Sequence, residues 1–530
     1  MHSLLAGLTI ALAVSACSAT DAERAGTTQP PTTIAAPAVT ATTASPPPTT
    51  APPIPPTTAA TPESPVTSAT AALAVPEDDR DAPPPPGAGA GDSFYPWLGN
   101  SGYDVTHYDL SLDVDPVANT IDGDTTVHAV ATEDLETLYL DLSGLEVRAV
   151  SIDGTPAEFA RERAELIVQI AAPISAGSSF TVEVAYSGTP QGVRDPGVPF
   201  TPIGWFNLNG VVFTANEPSG SMSWFPSNNH PTDKATFTMR ITVPEHLTAA
   251  SNGLLVDETV ADGRRTATWH MDDPMAPYLA AVYIGDFERH IQAFRDDLLI
   301  RDYISGSLSD LERQATLDAL SVTAGAIEYF EGLLGPYPFD VYGTIVMPFA
   351  LGFAMENQTL SLHGSHTLDS QIIAHELAHQ WFGNSVTVED WSDIWLHEGF
   401  AHYLSFMYLA EVQGEDLDDL MAQELLVAIA GQAAPPGSIE VTQLFDFNSI
   451  YRRATLTLHT LHRRVGDETF FEILRRHYSQ AAGGTATTAD FAAIVAELGG
   501  SEATDVLDAW LYSVDVPSTL GDPPVSDLRG

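Results

Sequence analysis

Residues 370–400 read SQIIAHELAHQWFGNSVTVEDWSDIWLHEGF. His375 and His379 stand four apart, and the apolar Ile372, Ile373, Trp381 and Phe382 around them favour a helix. Residues four apart share one helical face, a turn above one another, so both imidazoles reach a single ion. A hydrolytic metal centre takes three protein ligands and leaves one position open to water, so a third donor is required. Eighteen residues separate His379 from Glu398, which lies in Trp395-Leu396-His397-Glu398-Gly399-Phe400. A helix, a turn and a return helix of that length bring a carboxylate back beside the imidazoles, although Glu389 and Asp390 also lie nearby. Two nitrogens and one oxygen suit zinc, which lowers the pKa of a bound water to about 7. Glu376 is placed to take that proton. The pattern predicts metal-assisted hydrolysis.

Outward from this stretch, helical periodicity runs over 370–412, 417–433, 451–465, 467–478 and 488–498, with an earlier helix over 308–334 closed by Gly335-Pro336. Before Phe287 the texture differs. Tyr108, Leu110, Leu112 and Val114 alternate with polar residues, as do Phe180, Val182, Val184 and Tyr186, and Phe237, Met239, Ile241 and Val243. Such period-two runs between Gly, Pro and Asp turns predict an all-β domain over 93–287, followed by a mainly α domain over 288–517 and a short tail, 518–530.

The N-terminus has another character. Leu4 to Ala16 is a short apolar stretch of the kind that leads a secreted chain, too short to span a membrane. Val14-Ser15-Ala16-Cys17 resembles a bacterial lipobox, and Cys17 is the one cysteine of the chain. Residues 1–17 are therefore expected to be a signal peptide with lipobox. Residues 18–92 are rich in Pro, Thr, Ala and Ser, which bury no core, and are expected to form an extended spacer. An exported, extracytoplasmic protein tethered to the cell membrane by lipidated Cys17 is the expectation.

Composition narrows the partners. The 530 residues carry 21 Lys and Arg against 70 Asp and Glu, for a formal charge of −49. That field repels phosphate backbones and anionic lipid surfaces, so no nucleic-acid partner is expected, and membrane contact is expected only through the N-terminal lipid. A single cysteine rules out an internal disulfide.

His375-Glu376-x-x-His379, eighteen residues and Glu398 together resemble the gluzincin aminopeptidases of the aminopeptidase N and leukotriene-hydrolase type. Ala354-Met355-Glu356-Asn357 looks like the end of that family's GxMEN strand, with Phe353 where its first Gly is usual and Gly352 one position earlier. Glu217-Pro218, Trp224-Phe225-Pro226 and Asp233-Lys234-Ala235-Thr236-Phe237 resemble a block of its N-terminal β domain. Tyr451-Arg452-Arg453-Ala454 resembles its Tyr-x-Lys-Gly-Ala segment, with arginines at the Lys and Gly positions. The similarity runs from about Tyr103 to Val516.

The resemblance implies an α+β fold in which a saddle-like all-β domain precedes a thermolysin-like, mainly α catalytic domain. It implies one Zn²⁺ per chain on His375, His379 and Glu398, with Glu376 as general base and proton shuttle. It also implies that Tyr451 donates to the oxyanion, that Glu217 and Glu356 hold a peptide's α-amine, and that Ala354, Met355 and Asn357 lie along the substrate. Peptides are the implied substrates. Two alternatives stand beside an aminopeptidase: a zinc endopeptidase of the same fold, and an inactive surface binding module. Loss of Glu376 or of a zinc ligand would mark the binding module, and none is lost. Asp393 is a candidate to orient a ligand imidazole, whereas His363, His366, His397 and His402 are expected to be packing residues.

Overall fold

The computed structural model describes residues 84–365 and 367–521. The leader with Cys17, the spacer up to residue 83, His366 and residues 522–530 lie outside the described residues.

The period-two runs become strands of one eight-stranded sheet. Tyr108, Leu110, Leu112 and Val114 belong to Tyr103–Asp115 and are 0–2 % exposed, while most of the residues between them face outward. That strand runs antiparallel to Thr120–Ala131 and parallel to Ala235–Pro244. Tyr108 pairs with Phe237 across the parallel edge, and their rings stack 4.8 Å apart. Ser179–Gly188 adds to the far side of Thr120–Ala131. A smaller sheet orders Leu135–Asp141, Glu165–Ile174 and Phe159–Glu162.

The second half opens with a sheet of its own. Phe287–Arg295, Leu298–Ser305, Thr344–Val346 and Ser361–His363 are neighbours in that order, and Val341–Tyr342 pairs with Leu298–Ser305. Among the described residues eight α-helices follow or interleave: α1 (Asp310–Leu320), α2 (Thr323–Leu334), α3 (Ser370–Ala378), α4 (Trp395–Gln413), α5 (Leu417–Ala430), α6 (Ala454–Val465), α7 (Asp467–Ala481) and α8 (Thr488–Tyr512). The single helix expected over 308–334 is two, broken at Ser321-Val322. Ser309 and Glu312 form a reciprocal capping box that fixes the start of α1, and Gly335, at φ 105°, ends α2. α8 outruns its expected end at Leu498 because the chain bends at Gly500, where φ is 74°, and resumes the helix. No helix among the described residues is long and apolar enough to cross a membrane.

One continuous apolar core joins the β half to the helical half, from Tyr95 to Leu511. Polar ties reinforce it. The Lys234 ammonium is buried and donates to the carbonyls of Asn384 (3.0 Å) and Ser385 (2.8 Å), and burial pulls its pKa down to about 7. Tyr278 donates its hydroxyl to the Gly383 carbonyl at 2.9 Å.

The last residues assigned to the spacer are packed on this fold. Ala88 bridges Asn100, and Ala88 and Asp92 are both buried. The cause is local: Asp92 is a short carboxylate with four donors around it. Its Oδ1 accepts from the amides of Phe94 (2.8 Å) and Tyr95 (2.7 Å), and its Oδ2 accepts from the amide of Trp391 (2.7 Å) and faces His230 Nε2 (3.2 Å). Because Trp391 belongs to the zinc-helix half, this carboxylate ties the N-terminal segment to it. Asp92→Ala should cost about 3 kcal/mol or more, since several buried donors lose their acceptor at once. Denaturant unfolding of the folded portion checks this, and a change below about 0.5 kcal/mol, the size of an ordinary surface substitution, would contradict it.

Candidate metal and peptide site

Asp369 caps α3 by accepting from the amides of Gln371 (3.0 Å) and Ile372 (2.9 Å), which sets the helix start and hence the phase of His375 and His379. Ile373, Ala374, Leu377 and Ala378 bury the core side of the helix. The helix stops at His379 and the chain turns through Gly383, at φ 131°. A Cβ there would lie 2.8 Å from His379 Nδ1, so both backbone conformation and space demand glycine. His379 Nδ1–H donates to the Phe382 carbonyl at 3.1 Å, which leaves the Nε2 lone pair free to bind an ion.

Glu398 lies in the first turn of α4 and returns to the imidazoles as the spacing predicts. His375 Nε2 and His379 Nε2 are 3.0 Å apart, and Glu398 Oε2 lies 3.2 Å and 3.3 Å from them. A tetrahedral ion with bonds of 2.0–2.2 Å has ligand–ligand edges of about 3.3–3.6 Å. The three atoms therefore already stand close to one face of a zinc tetrahedron, with the fourth corner left for water or substrate. They are the one group of three or more His, Cys, Asp or Glu able to hold a metal among the described residues. His375 and His379 hold the Glu398 carboxyl below its usual range even though burial pushes the other way.

Around this face gather carboxylates and one phenol. Glu376 is buried, and burial together with Glu356 and Glu398 drives its pKa well up against the pull of His379. Burial, then Glu356, Glu398 and Glu376, raise Glu217, which sits at a cis peptide bond to Pro218. Burial is also the main force raising Glu356. Glu217 Oε1 and Glu356 Oε1 are buried with no hydrogen-bond partner in the protein. Two orphaned carboxylate oxygens beside a metal site are donors' targets, and a cation satisfies them.

Glu356 owes its place to two side chains that the sequence reading did not single out. Gln380 Nε2 and Asn384 Nδ2, just past the zinc helix, donate to the Glu356 carbonyl at 2.9 and 2.7 Å. Gln380 Oε1 accepts the Thr359 amide at 2.9 Å, so this one amide side chain clamps both ends of the segment. Asn357 is buried and donates its Nδ2 to the Tyr283 hydroxyl at 2.5 Å. The expected strand ending in Ala354-Met355-Glu356-Asn357 is reduced to a single bridge, Met355 to Leu362, because the chain turns back within a few residues. Ala354 is half-buried, and Phe353 is 37 % exposed at the start of the segment.

Tyr451 lies in a π-helical turn, Phe447–Arg453, where an ordinary helix from Tyr451 was expected. Its ring stacks on Phe447 at 5.2 Å and lies nearly parallel to His375 at 6.0 Å. The hydroxyl points to Glu398, and burial and that carboxylate keep it protonated, hence a donor. The two arginines hold the turn: Arg452 pairs with Glu424 of α5 at 2.5 Å, and buried Arg453 donates to the carbonyls of Trp510 and Ala433 (2.8 Å each) and of Ser513 (2.5 Å). Gly399 lets α6 close on α4, since a Cβ there would stand 2.5 Å from that of Ala454.

Among the described residues the other histidines stay outside the metal cluster. His397 is buried beside Glu398, with its pKa lowered to about 3 by burial, His363 meets the Thr367 carbonyl at 3.2 Å, and His402 packs edge-on against His375. Asp393 does not orient an imidazole. Its carboxylate accepts the Thr488 hydroxyl at 2.5 Å, an interaction with the start of α8.

A β half leading into a zinc-helix half, with a His-His-Glu face turned to a nest of carboxylates, defines a two-domain zinc metallopeptidase architecture. Residues 318–510 match the Peptidase family M1 domain and residues 105–279 the Peptidase M1 N-terminal domain. A solved two-domain M1 zinc metallopeptidase, a mutant bound to L-tryptophan, is 32 % identical with a TM-score of 0.77 over 82 % of this chain and 100 % of its own. An M1 zinc metallopeptidase mutant of Deinococcus radiodurans bound to a Tyr-Ser-Ala substrate is also 32 % identical, with a TM-score of 0.76 and coverage of 82 % and 100 %. Aminopeptidase M1 of Arabidopsis thaliana is 27 % identical over 77 % of this chain and 50 % of its own length. The chain belongs to peptidase family M1. It spans about half the length of the curated relatives that it matches.

Proposed function

We propose that the protein is a zinc aminopeptidase that removes N-terminal residues from peptides. The observation that carries this reading is the pair of buried, unpartnered carboxylate oxygens, Glu217 Oε1 and Glu356 Oε1, beside the His375–His379–Glu398 face. A peptide's α-amine is a cation near neutral pH, with an ordinary pKa of about 7.7–8.0. Two desolvated carboxylates favour such a cation between them and disfavour a neutral acetamide. With the amine fixed there, the carbonyl nearest the metal is that of the first residue, which makes cleavage start at the N-terminus.

Bound at His375, His379 and Glu398, zinc supplies a Lewis acid for the scissile carbonyl and lowers the pKa of a water. Glu376 takes a proton and passes it to the leaving amine. Tyr451 donates its hydroxyl to the carbonyl oxygen as negative charge develops. Gln380 and Asn384 keep Glu356 in register with the zinc helix. The sequence of residues 1–92 further supports export and a lipid tether at Cys17, with the catalytic part held off the membrane.

The test compares peptides with free and acetylated N-termini, with and without a chelator. Free amines should be trimmed one residue at a time, and chelation should stop it. Glu356→Ala should lose at least about tenfold in kcat/KM on free-amine peptides, since truncating one partner of a buried charge pair typically costs about 2–5 kcal/mol, and change little on acetylated ones. If the wild type cleaves acetylated peptides internally as fast as it trims free ones, the protein is a zinc endopeptidase instead.

A further inference from the structure

The small sheet of the β half holds a second nest of buried oxygens, remote in sequence from the zinc motif. Asp141 ends the strand Leu135–Asp141 and pairs directly with Glu165, the first residue of Glu165–Ile174. On its other side Asp141 forms an isolated bridge with Ser227, each amide donating to the other's carbonyl at 2.8 and 3.1 Å. A residue that spends its amide and carbonyl on one neighbour forms a non-hydrogen-bonded pair with the other, the pairing in which facing side chains stand closest. The next pair agrees, since the Leu142 amide donates to the Ala164 carbonyl at 2.6 Å. Ser227, Asp141 and Glu165 are thus three neighbours in a row with their side chains on one face.

That face is dry. Asp141, Glu165, Ser227 and Asn100 are 1 %, 4 %, 0 % and 4 % exposed. Asn100 joins them by donating its Nδ2 to Asp141 Oδ2 at 3.3 Å, and that same oxygen accepts the Asn229 amide at 2.9 Å. Four other oxygens make no well-formed hydrogen bond: Asp141 Oδ1, Glu165 Oε2, Asn100 Oδ1 and Ser227 Oγ, with the Gly99 amide and the Asn100 side chain acting on the Asp141 and Glu165 carboxyls from farther off. Two carboxylates directly opposite each other in a buried pair repel strongly unless something neutralises them. Arg161 acts on Glu165, but both its terminal nitrogens are committed to the carbonyls of Leu142 and Leu145. Burial pushes both carboxyls up, and with both ionised beside one guanidinium, one negative charge is left for a cation to neutralise.

We propose that Asp141, Glu165, Asn100 and Ser227 form a site for a hard, oxygen-seeking cation, sodium or calcium. All four free atoms are oxygens and no nitrogen or sulfur donor joins them, the donor set that such cations take and zinc does not favour. A single positive charge balances the nest, and calcium, of nearly the same size, fits the same ligands. The ion would also brace the peptide site. Asn229, whose amide is on Asp141, donates its Nδ2 to the Ser219 carbonyl at 3.0 Å and accepts the Ser221 hydroxyl at 2.5 Å, and Ser219 lies two residues after Glu217.

The zinc-loaded protein, exchanged into tetramethylammonium chloride, tests this by thermal unfolding as NaCl, CaCl2 or MgCl2 replaces that salt at constant ionic strength. An ion bound only by the folded state leaves the midpoint flat below its Kd and raises it with the logarithm of concentration above. That threshold is expected for sodium or calcium and not for magnesium, which demands a tighter octahedron. Asp141→Asn should abolish it, and Ser227→Ala, which removes one ligand and no charge, should move it to higher concentration with zinc content unchanged. A response identical in wild type and Ser227→Ala would be general screening of the acidic chain and would overturn the proposal. So would a midpoint that ignores all three ions and rises as the pH falls through about 7, where burial has pushed the Asp141 carboxyl, since that behaviour assigns a shared proton in place of an ion.

Discussion

Glu376→Gln should lower turnover by at least about 10³-fold while zinc stays at one per chain. The amide is nearly isosteric, so α3 keeps its packing and the ligand face is untouched. What changes is that the side chain no longer accepts a proton. Glu376 stands on the same helix as both ligand histidines, and Glu356 and Glu398 both act on it electrostatically. Its pKa is pushed well above the ordinary glutamate value, by burial first and then by those neighbours. A stronger base is better matched to a water whose pKa has been brought near 7. Two measurements check the argument, zinc content by elemental analysis and single-turnover rates. Full zinc with near-normal turnover would remove Glu376 from proton transfer.

The legibility of this protein follows from how local each signal is. The histidine pair was readable because both members share a helix face, and the third ligand because it lies one helical return away, where spacing left Glu389 and Asp390 open and the resemblance selected Glu398. The strands around Tyr108, Val182 and Met239 were readable because one sheet face is buried and the period is two. Glu217 and Glu356 gave no spacing signal of their own. Their neighbours in space are set by long-range packing, and only the resemblance singled them out. Gln380 and Asn384 escaped for the same reason: a polar residue just beyond a helix looks like any turn residue until its partner carbonyl is known. The break at Ser321-Val322 carries no Gly or Pro, and the π turn before α6 has the apolar periodicity of an ordinary helix. Asp92 looked like the end of a solvated spacer because a carboxylate ringed by backbone amides has no compositional mark. Asp141 and Glu165 went unremarked because a carboxylate in a strand has no mark in the sequence that its face is covered.

His379→Ala should reduce bound zinc from about one per chain to a small residue after dialysis, and activity should fall to background with it. Three ligands at preset positions hold zinc because each pays little to be ordered. Removing one leaves His375 and Glu398, two donors that cannot complete a three-ligand face. His379 is the member whose loss should cost most. Its ring is held from behind by the Phe382 carbonyl and walled by Gly383, so its Nε2 is the most rigidly aimed donor of the three. His375 is held more loosely, its buried Nδ1 facing the Ala401 backbone without a well-formed hydrogen bond. The fold should survive, since the Ile373, Ala374, Leu377 and Ala378 side of α3 is untouched and the core runs past it. Zinc loss with a retained cooperative unfolding transition is the expected pair of results. Zinc retained at one per chain in this variant would mean that the metal rests on other residues, and the assignment of Glu217 and Glu356 to a peptide amine would fall with it.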